Sequence, residues 1–290
     1  MGTMGRAEEP LKFLESLAKQ TSPAYELFII DQNEDERLAP VDAKAKELNI
    51  PTRRIKETIK NLAHARNIGI VKSTGDIIGF PDDDCWYEPD VLEQIHSCFK
   101  ANPTIDAISG IWLEAPIQNI QPGVMPPKEI IDFKGARINS ITLFIRRETL
   151  YELNGFDPRL GTGQWFGAGE EVDIALRLSL NGNHIYYTPE VKVHHPCFDT
   201  NDYSQIRIRS YSRGSGALYA KLDLSNKTII RGLFSPILKI IFQPFSIRTK
   251  LNQTLGRVEG FKKWHDLYGS GKKSWLTHED CDLFNTNRKD

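Results

Sequence analysis

Short apolar runs and amphipathic stretches alternate through about the first hundred residues, and that rhythm restricts the fold more than any other feature of the chain. "YELFIID" carries Leu27 to Ile30 as a continuous, partly β-branched run closed by Asp31, the pattern of a strand buried on both faces of a parallel sheet. Asp76 to Phe80 is a second such run, stopped by Pro81. Around them, Pro10 to Lys19 places Leu11, Leu14, Leu17 and Ala18 at helical spacing, Ala43 to Leu48 reads as a short helix, and "NLAHARNIGIVKSTG" suits a helix whose end is marked by Gly75. "EPDVLEQIHSCFKAN" opens a further helix near Pro89, with Val91, Leu92, Ile95 and Phe99 on one face. Strand, helix, strand, helix with short connections predicts an α/β fold: a mostly parallel sheet flanked by helices.

Further along, Ile105 to Trp112 and Ile141 to Arg146 read as strands on either side of a proline-rich loop, Pro116 to Pro127. Glu170 to Leu180 is an amphipathic helix stopped by Gly182, and "HIYYTPEVKVHHP" is strand material. Near Thr200 the style changes to basic, aromatic and large apolar residues. The organisation expected is a sheet-bearing domain over 1–200 and a C-terminal helical extension over 201–290.

Composition bounds the partners. With 290 residues and a net charge of −1, nothing points to nucleic acid. Cys85, Cys98, Cys197 and Cys281 form no CxxC pair, which argues against a disulfide framework or structural zinc and for a reducing compartment. There is no apolar leader and no membrane-length apolar run. A cytoplasmic protein is expected, one able to sit on the inner face of a membrane.

"GFPDDDCW" puts Asp82, Asp83 and Asp84 directly after the second strand. Ligands of alternating α/β sheets bind beyond the carboxyl ends of the strands, where Asp31 and this triplet fall. Carboxylates at Asp-x-Asp spacing supply hard oxygen ligands for Mg²⁺ or Mn²⁺ without closing the site, leaving room for a diphosphate. A solvated turn capping the next helix is the plainer reading, but Trp86 and Tyr87 add stacking surface that such a turn does not need. A second acidic group, Glu170, Glu171 and Asp173 in "GAGEEVD", opens a helix whose dipole favours ionised carboxylates, as a base requires. Asp173 and Arg177 also stand at the spacing of a simple helix-face ion pair.

"ARNIGIVKSTGDIIGFPDDDCWYEPDVL" and, downstream, "GFDPRLGTGQWFGAGEEVDIALRLSLNG" resemble the two signature blocks of family 2 GT-A glycosyltransferases. The resemblance covers roughly Pro10 to Pro196 and implies a GT-A, Rossmann-like fold and an inverting transfer of a sugar from a nucleotide-sugar donor, with a divalent metal at the Asp-x-Asp motif. It puts Asp84 on the metal, Asp82 nearer the ribose as well as within the metal site, Asp31 at the nucleotide base, and Arg66 and Asp76 at flanking donor positions. Asp83, between the two motif carboxylates, shares the donor edge and is the most replaceable of the three.

In the second block the resemblance implies that Glu171 is the base, standing where the family usually has aspartate, with Glu170 beside the donor and Asp173 the alternative base. Gly169, with Gly167, would let the backbone pass close to the donor sugar, and Trp165 either stacks on a sugar face or belongs to the core. In many GT-A enzymes a histidine in the region of His194 and His195 completes the metal site. His195 is preferred, and strand alternation allows only one of the two to face inward.

Two features depart from the pattern. Family members open with an apolar strand ahead of a helix like Pro10 to Lys19, whereas this sequence offers "MGTMGRAEEP", so the first strand is expected to be missing and Thr3 to Arg6 to be the remnant of the loop after it. The C-terminal segment, with Arg207, Arg209, Arg213, Lys221, Lys239, Arg248 and Lys250 among Leu, Ile and Phe, suits either an anionic membrane surface or a helical appendage packed on the rest. UDP or dTDP is the expected carrier, and a glycan or lipid-linked acceptor the expected recipient, as in polysaccharide biosynthesis. A non-catalytic sugar-nucleotide binder and a nucleotidyltransferase are the alternatives. The latter needs a glycine-rich, lysine-bearing phosphate loop, and none is visible.

Overall fold

The computed structural model describes residues 1–115, 121–126, 138–196, 204–222, 224–241, 247–271 and 282–285. Residues 116–120 and 127 of the proline-rich loop, Cys197 and Cys281 lie outside the described residues. Cys85 and Cys98 are free thiols.

The strands are β1 (Gly2–Thr3), β2 (Leu27–Asp31), β3 (Thr52–Lys56), β4 (Ile77–Gly79), β5 (Trp86–Tyr87), β6 (Ala107–Trp112), β7 (Gly123–Val124), β8 (Leu143–Arg146) and β9 (Ile185–His194). One sheet has the order β1-β2-β3, all parallel. The other runs β4-β8-β6-β9-β5 with β7 beside β9; β6 and β9 pair in parallel and the remaining neighbours antiparallel. Helices α1 (Glu9–Ala18), α2 (Ala39–Glu47), α3 (Leu62–Lys72) and α4 (Val91–Ala101) alternate with the first strands. α1 buries Phe13, Leu14 and Leu17 against the same core as Leu27 and Ile29 of β2 and Val91, Ile95 and Phe99 of α4. Asn61 starts α3 by accepting the backbone N–H of His64, an N-cap that turns the chain directly into the helix carrying Arg66.

The strand β3 and the short helix Arg147–Glu152 have no counterpart in the sequence reading. β3 reads "TRRIK", a basic edge strand with half-exposed residues, so it lacks the apolar run that marks β2. The Glu170–Leu180 helix keeps the bounds expected of it, and Gly182 takes φ +85° just beyond it.

A short strand does precede the first helix, which corrects the expectation of none: Gly2 and Thr3 pair in parallel with Ile30 and Asp31. They cover only one end of β2. Beside the other end, Met1, Leu27, Phe28, Ile77, Ile78 and Phe144 line a cavity of about 600 Å³ between β2 and β4. The α-amino group of Met1 donates to the Phe28 carbonyl at 2.9 Å, and burial, with Arg66 adding to it, pushes that group down to about 6. Fusing four β-branched apolar residues ahead of Met1 should continue β1 into this cleft and turn the buried ammonium into a peptide N–H. Burying even part of one such side chain is worth about 1 kcal/mol, so a thermal melt should shift upward by roughly 2–4 °C. An unchanged midpoint would count against a strand fitting there.

Residues beyond Thr200 share the core of the sheet. Ala217, Leu218 and Ala220 of the Gln205–Lys221 helix and Trp264 of the Ile247–Tyr268 helix pack with Phe166, Ile174, Leu178 and Ile185. The two helices meet through glycines: a Cβ on Gly216 or Gly260 would collide with the backbone of Arg257 or Arg213 respectively.

Candidate active site

Asp82, Asp83 and Asp84 follow β4 on a turn and divide their partners. Asp82, half-exposed, accepts from Arg66 Nη2 at 3.0 Å. Asp83 is buried, takes the Thr3 hydroxyl at 2.6 Å and pairs with Arg6; burial pushes its carboxyl up in spite of both. It ties the start of the chain to the acidic turn, so it is not the freely replaceable residue that its place between two motif carboxylates suggests. Asp84, also buried, pairs with Arg6 Nη2 at 2.6 Å and His195 Nε2 at 3.1 Å. Burial raises the cost of its charge, but His195 and Arg6 outweigh it and hold the carboxyl below its ordinary range.

The end of β9 places the two histidines on different partners. His195 turns to Asp84, while His194 bridges Glu88 and Glu114 at 2.6 Å each and stacks on Trp86 with ring centroids 4.9 Å apart. Asp82, Asp84 and His195 thereby bring three potential ligand atoms within 4.8 Å of one another. Two hard carboxylate oxygens and an imidazole form a donor set that fits Mn²⁺, and Mg²⁺ through its oxygens.

Arg66 joins this group to the second carboxylate block. Its guanidinium, buried and lying over the Phe156 ring, donates to Asp82 and to the Ser140 hydroxyl from Nη2 and to Glu170 from Nη1, the last at 3.0 Å. Burial disfavours its charge, but Asp82, Glu170 and Glu171 more than restore it, so Arg66 stays firmly cationic. Glu170 and Glu171 begin the Glu170–Leu180 helix after Gly169, whose φ of +101° suits glycine. The helix dipole does not decide the state of Glu171. Burial and the adjacent Glu170 push its carboxyl up to about 8, against the pull of Arg66.

Asp173, the alternative base, sits two residues beyond Glu171 and completely buried, with Arg177 Nε at 2.8 Å and Lys221 Nζ at 2.5 Å. Its carboxylate is enclosed by cations inside the core and has no route to an acceptor hydroxyl. Gly169 and Gly167 pack the loop against the Gln205–Lys221 helix, where an added Cβ would meet Leu218 and Ser210. Close packing within the protein is therefore a reason for glycine at both positions, beside the passage along a donor sugar inferred from sequence. Trp165, partly exposed, has Arg213 at 4.4 Å and Lys263 at 4.0 Å over its ring, so cations of the C-terminal helices already cover it.

At the β2 edge, Asp31 is fully buried. It accepts from the backbone and side chain of Asn33 and pairs with Arg54 and Lys56, both at 3.0 Å. Burial opposes its charge and these donors overcome it, leaving the carboxyl below its usual range. Asp76 lies exposed before β4, at the strand end opposite to the one that leads into Asp82, and its carbonyl accepts from Arg147 N at 2.8 Å. Strand polarity therefore separates Asp76 from the carboxylate cluster. Arg6, Arg54, Lys56 and Ser140 were not singled out from sequence as partners of these carboxylates; only their meeting across distant segments reveals them.

Residues 3–125 match the model of glycosyl transferase family 2. The glucosyl-dolichyl phosphate glucuronosyltransferase of Haloferax volcanii is 21% identical over 232 residues, 73% of this chain and 72% of the relative. Among solved structures, the mannosyltransferase PcManGT from Pyrobaculum calidifontis, in complex with GDP-Man and Mn²⁺, superposes with a TM-score of 0.62 at 15% identity, over 90% of this chain and 86% of that one. TarS 1-349 of S. aureus, in complex with UDP-GlcNAc, gives 0.63 at 16% identity, over 91% and 78%. Fold and family match define the class: the protein is a glycosyltransferase of the GT-A type. The stretch that matches the family 2 model, residues 3–125, holds the first of the two motif blocks that resemble that family.

Proposed function

We propose that the protein transfers a sugar, with inversion, from a nucleoside-diphosphate sugar to a hydroxyl of a glycan or lipid-linked acceptor, in the synthesis of a polysaccharide or cell-surface glycan. The observation that carries this reading is the double engagement of Arg66, which bonds Asp82 and Glu170 at once and so draws both carboxylate groups into one site. The glucuronosyltransferase relative supports a lipid-linked acceptor, and the GDP-Man and UDP-GlcNAc complexes of the structural neighbours support a nucleotide-sugar donor. UDP or dTDP remains the preferred carrier.

Asp82, Asp84 and His195 would hold a divalent cation, Mn²⁺ or Mg²⁺, which when bound supplies positive charge beside the diphosphate. Glu171 takes the proton of the acceptor hydroxyl as that oxygen bonds to the anomeric carbon and the bond from carbon to diphosphate breaks. Arg66 fixes Glu170 next to Glu171 and offsets the charge of Asp82 and Glu170 where the donor's negative charge arrives. Asp31 orders Asn33, Arg54 and Lys56 at the edge where the nucleotide base would lie.

Release of nucleoside diphosphate from a panel of UDP-, dTDP- and GDP-sugars, with and without Mn²⁺ or Mg²⁺, tests the reading. Asp84→Ala should abolish metal-stimulated turnover and weaken Mn²⁺ binding, followed by electron paramagnetic resonance, at least tenfold. Turnover that survives both a chelator and Asp84→Ala would overturn the metal assignment, and no turnover with any donor would overturn the transfer.

A further inference from the structure

The Asn226–Leu238 and Ile247–Tyr268 helices lie side by side, joined where Arg257 Nη1 reaches Ser235 Oγ at 2.8 Å. Each packs one face inward. A Cβ on Gly232 would strike the Tyr219 ring, one on Gly256 would strike the backbone of Arg209, and Leu233, Pro236, Thr254 and Trp264 are buried. The opposite faces are uncovered. Ile230, Phe234 and Leu238 repeat at four-residue intervals on the first helix and are 59%, 42% and 58% exposed. Ile247, Leu251 and Leu255 repeat in the same way on the second, at 47%, 41% and 48%. Helical spacing makes each set one stripe.

The charge beside these stripes has one sign. Between residues 224 and 258 the sequence holds Lys227, Arg231, Lys239, Arg248 and Lys250, together with Arg257, and no Asp or Glu. A face for a second protein would ordinarily mix charges at its rim, and a nucleic-acid face would not set large aliphatic side chains in water between its cations. Glu259, one turn beyond Leu255, is already paired with Arg209 and Arg213, and apolar stripes flanked otherwise by basic residues match a surface whose outer layer is anionic and whose interior is hydrocarbon.

We propose that these two helices form a membrane-docking face, which seats on a bilayer containing anionic phospholipid with Ile230, Phe234, Leu238, Ile247, Leu251 and Leu255 in the acyl boundary and the neighbouring Lys and Arg at the headgroups. This does not depend on the transfer reaction. No helix among the described residues is long and apolar enough to cross a membrane, so the attachment is at the surface. It would hold the site beside an acceptor whose lipid portion stays in the bilayer.

Co-sedimentation of the full chain with phosphatidylcholine vesicles, with and without phosphatidylglycerol, is the test. Pelleting is expected with the anionic vesicles and should fall as salt is added. Lys227→Ser and Arg231→Ser should each weaken partitioning about fivefold, and Phe234→Ser with Leu251→Ser should lower it by at least as much. Circular dichroism and donor hydrolysis in solution should be unchanged, because every substituted residue is exposed and remote from the carboxylates. The proposal falls if the protein does not pellet with anionic vesicles or if these variants pellet equally well. It also falls if sedimentation velocity shows the apolar substitutions converting a dimer to a monomer, which would give the face to a second copy. Retention of labelled RNA that depends on Lys227 and Arg231 but not on Phe234 would likewise assign it elsewhere.

Discussion

Replacing Glu171, the proposed base, by glutamine is expected to lower turnover by about 10²–10⁴-fold, the range contributed by a positioned proton acceptor, while donor binding persists. Its environment adds a kinetic signature that a merely structural carboxylate would not give, and a stability signature that checks the environment itself. Burial and Glu170 push the Glu171 carboxyl up to about 8, so in the free enzyme the basic form grows as pH rises, and kcat/KM should climb through an acidic limb near that value. Glu170→Gln keeps an acceptor for Arg66 but removes the like charge next door, and it should move the limb to lower pH. Stability responds in the opposite sense. A carboxyl whose folded value lies above its unfolded one contributes stability that is fully present below the unfolded value and is lost as pH rises through the folded value. Wild type should therefore lose thermal stability between about pH 5 and 9, and Glu171→Gln should flatten that slope. A Gln variant with full turnover would remove Glu171 from the role, and one whose melting midpoint keeps the wild-type slope would show that the raised carboxyl is not that of Glu171.

Some parts of this arrangement can be read along the chain and others exist only across it. β2 and the Glu170–Leu180 helix were visible because each carries its full signal locally: an unbroken apolar run in one, apolar periodicity with a glycine stop in the other. β3 was not, because an edge strand needs apolar residues on one side only and here uses its polar positions, Arg54 and Lys56, to hold Asp31. The proposed metal ligands Asp82, Asp84 and His195 came from spacing and family resemblance together, and the fold brings them within reach of one another. Arg66 was placed near the donor, but its bond to Glu170 spans 104 residues and has no trace in either segment alone. Gly167 and Gly169 show the complementary case. Glycines ahead of a helix in an acidic motif suggest a ligand, and the C-terminal helix pressed against them adds a packing requirement that the local sequence does not announce.

Lys221 was grouped from sequence with the basic residues of a segment suited to an anionic membrane surface or to a packed helical appendage, and it is completely buried. Its ammonium lies 2.7 Å from Asp157 and 2.5 Å from Asp173, while Arg159 and Arg177 hold the same two carboxylates at 2.6 and 2.8 Å. Arg177 also donates to the carbonyls of Leu153 and Gly155, so the network clamps the 153–159 turn, the helix that begins with Glu170 and Glu171, and the C-terminal helical segment to one another. Lys221→Met keeps the length of the side chain but leaves two buried carboxylates each short of a donor. Breaking a buried pair on one side costs about 3–5 kcal/mol, and the two arginines that remain favour the lower end, about 3 kcal/mol. Chemical denaturation should show that loss at neutral pH. Burial works against the charge of Asp157, but Lys221 and Arg159 more than compensate and hold its carboxyl far below the usual range. Its contribution is thus present above the unfolded value and lost as pH falls through the folded one, so the gap between wild type and Lys221→Met should narrow in acid. Adding Asp157→Asn should recover part of the loss, because a neutral amide no longer demands the missing cation. If Lys221→Met unfolds at the wild-type denaturant concentration, the buried network does not hold the C-terminal helices to the carboxylate site, and the alignment of Glu171 must come from Arg66 and apolar packing alone.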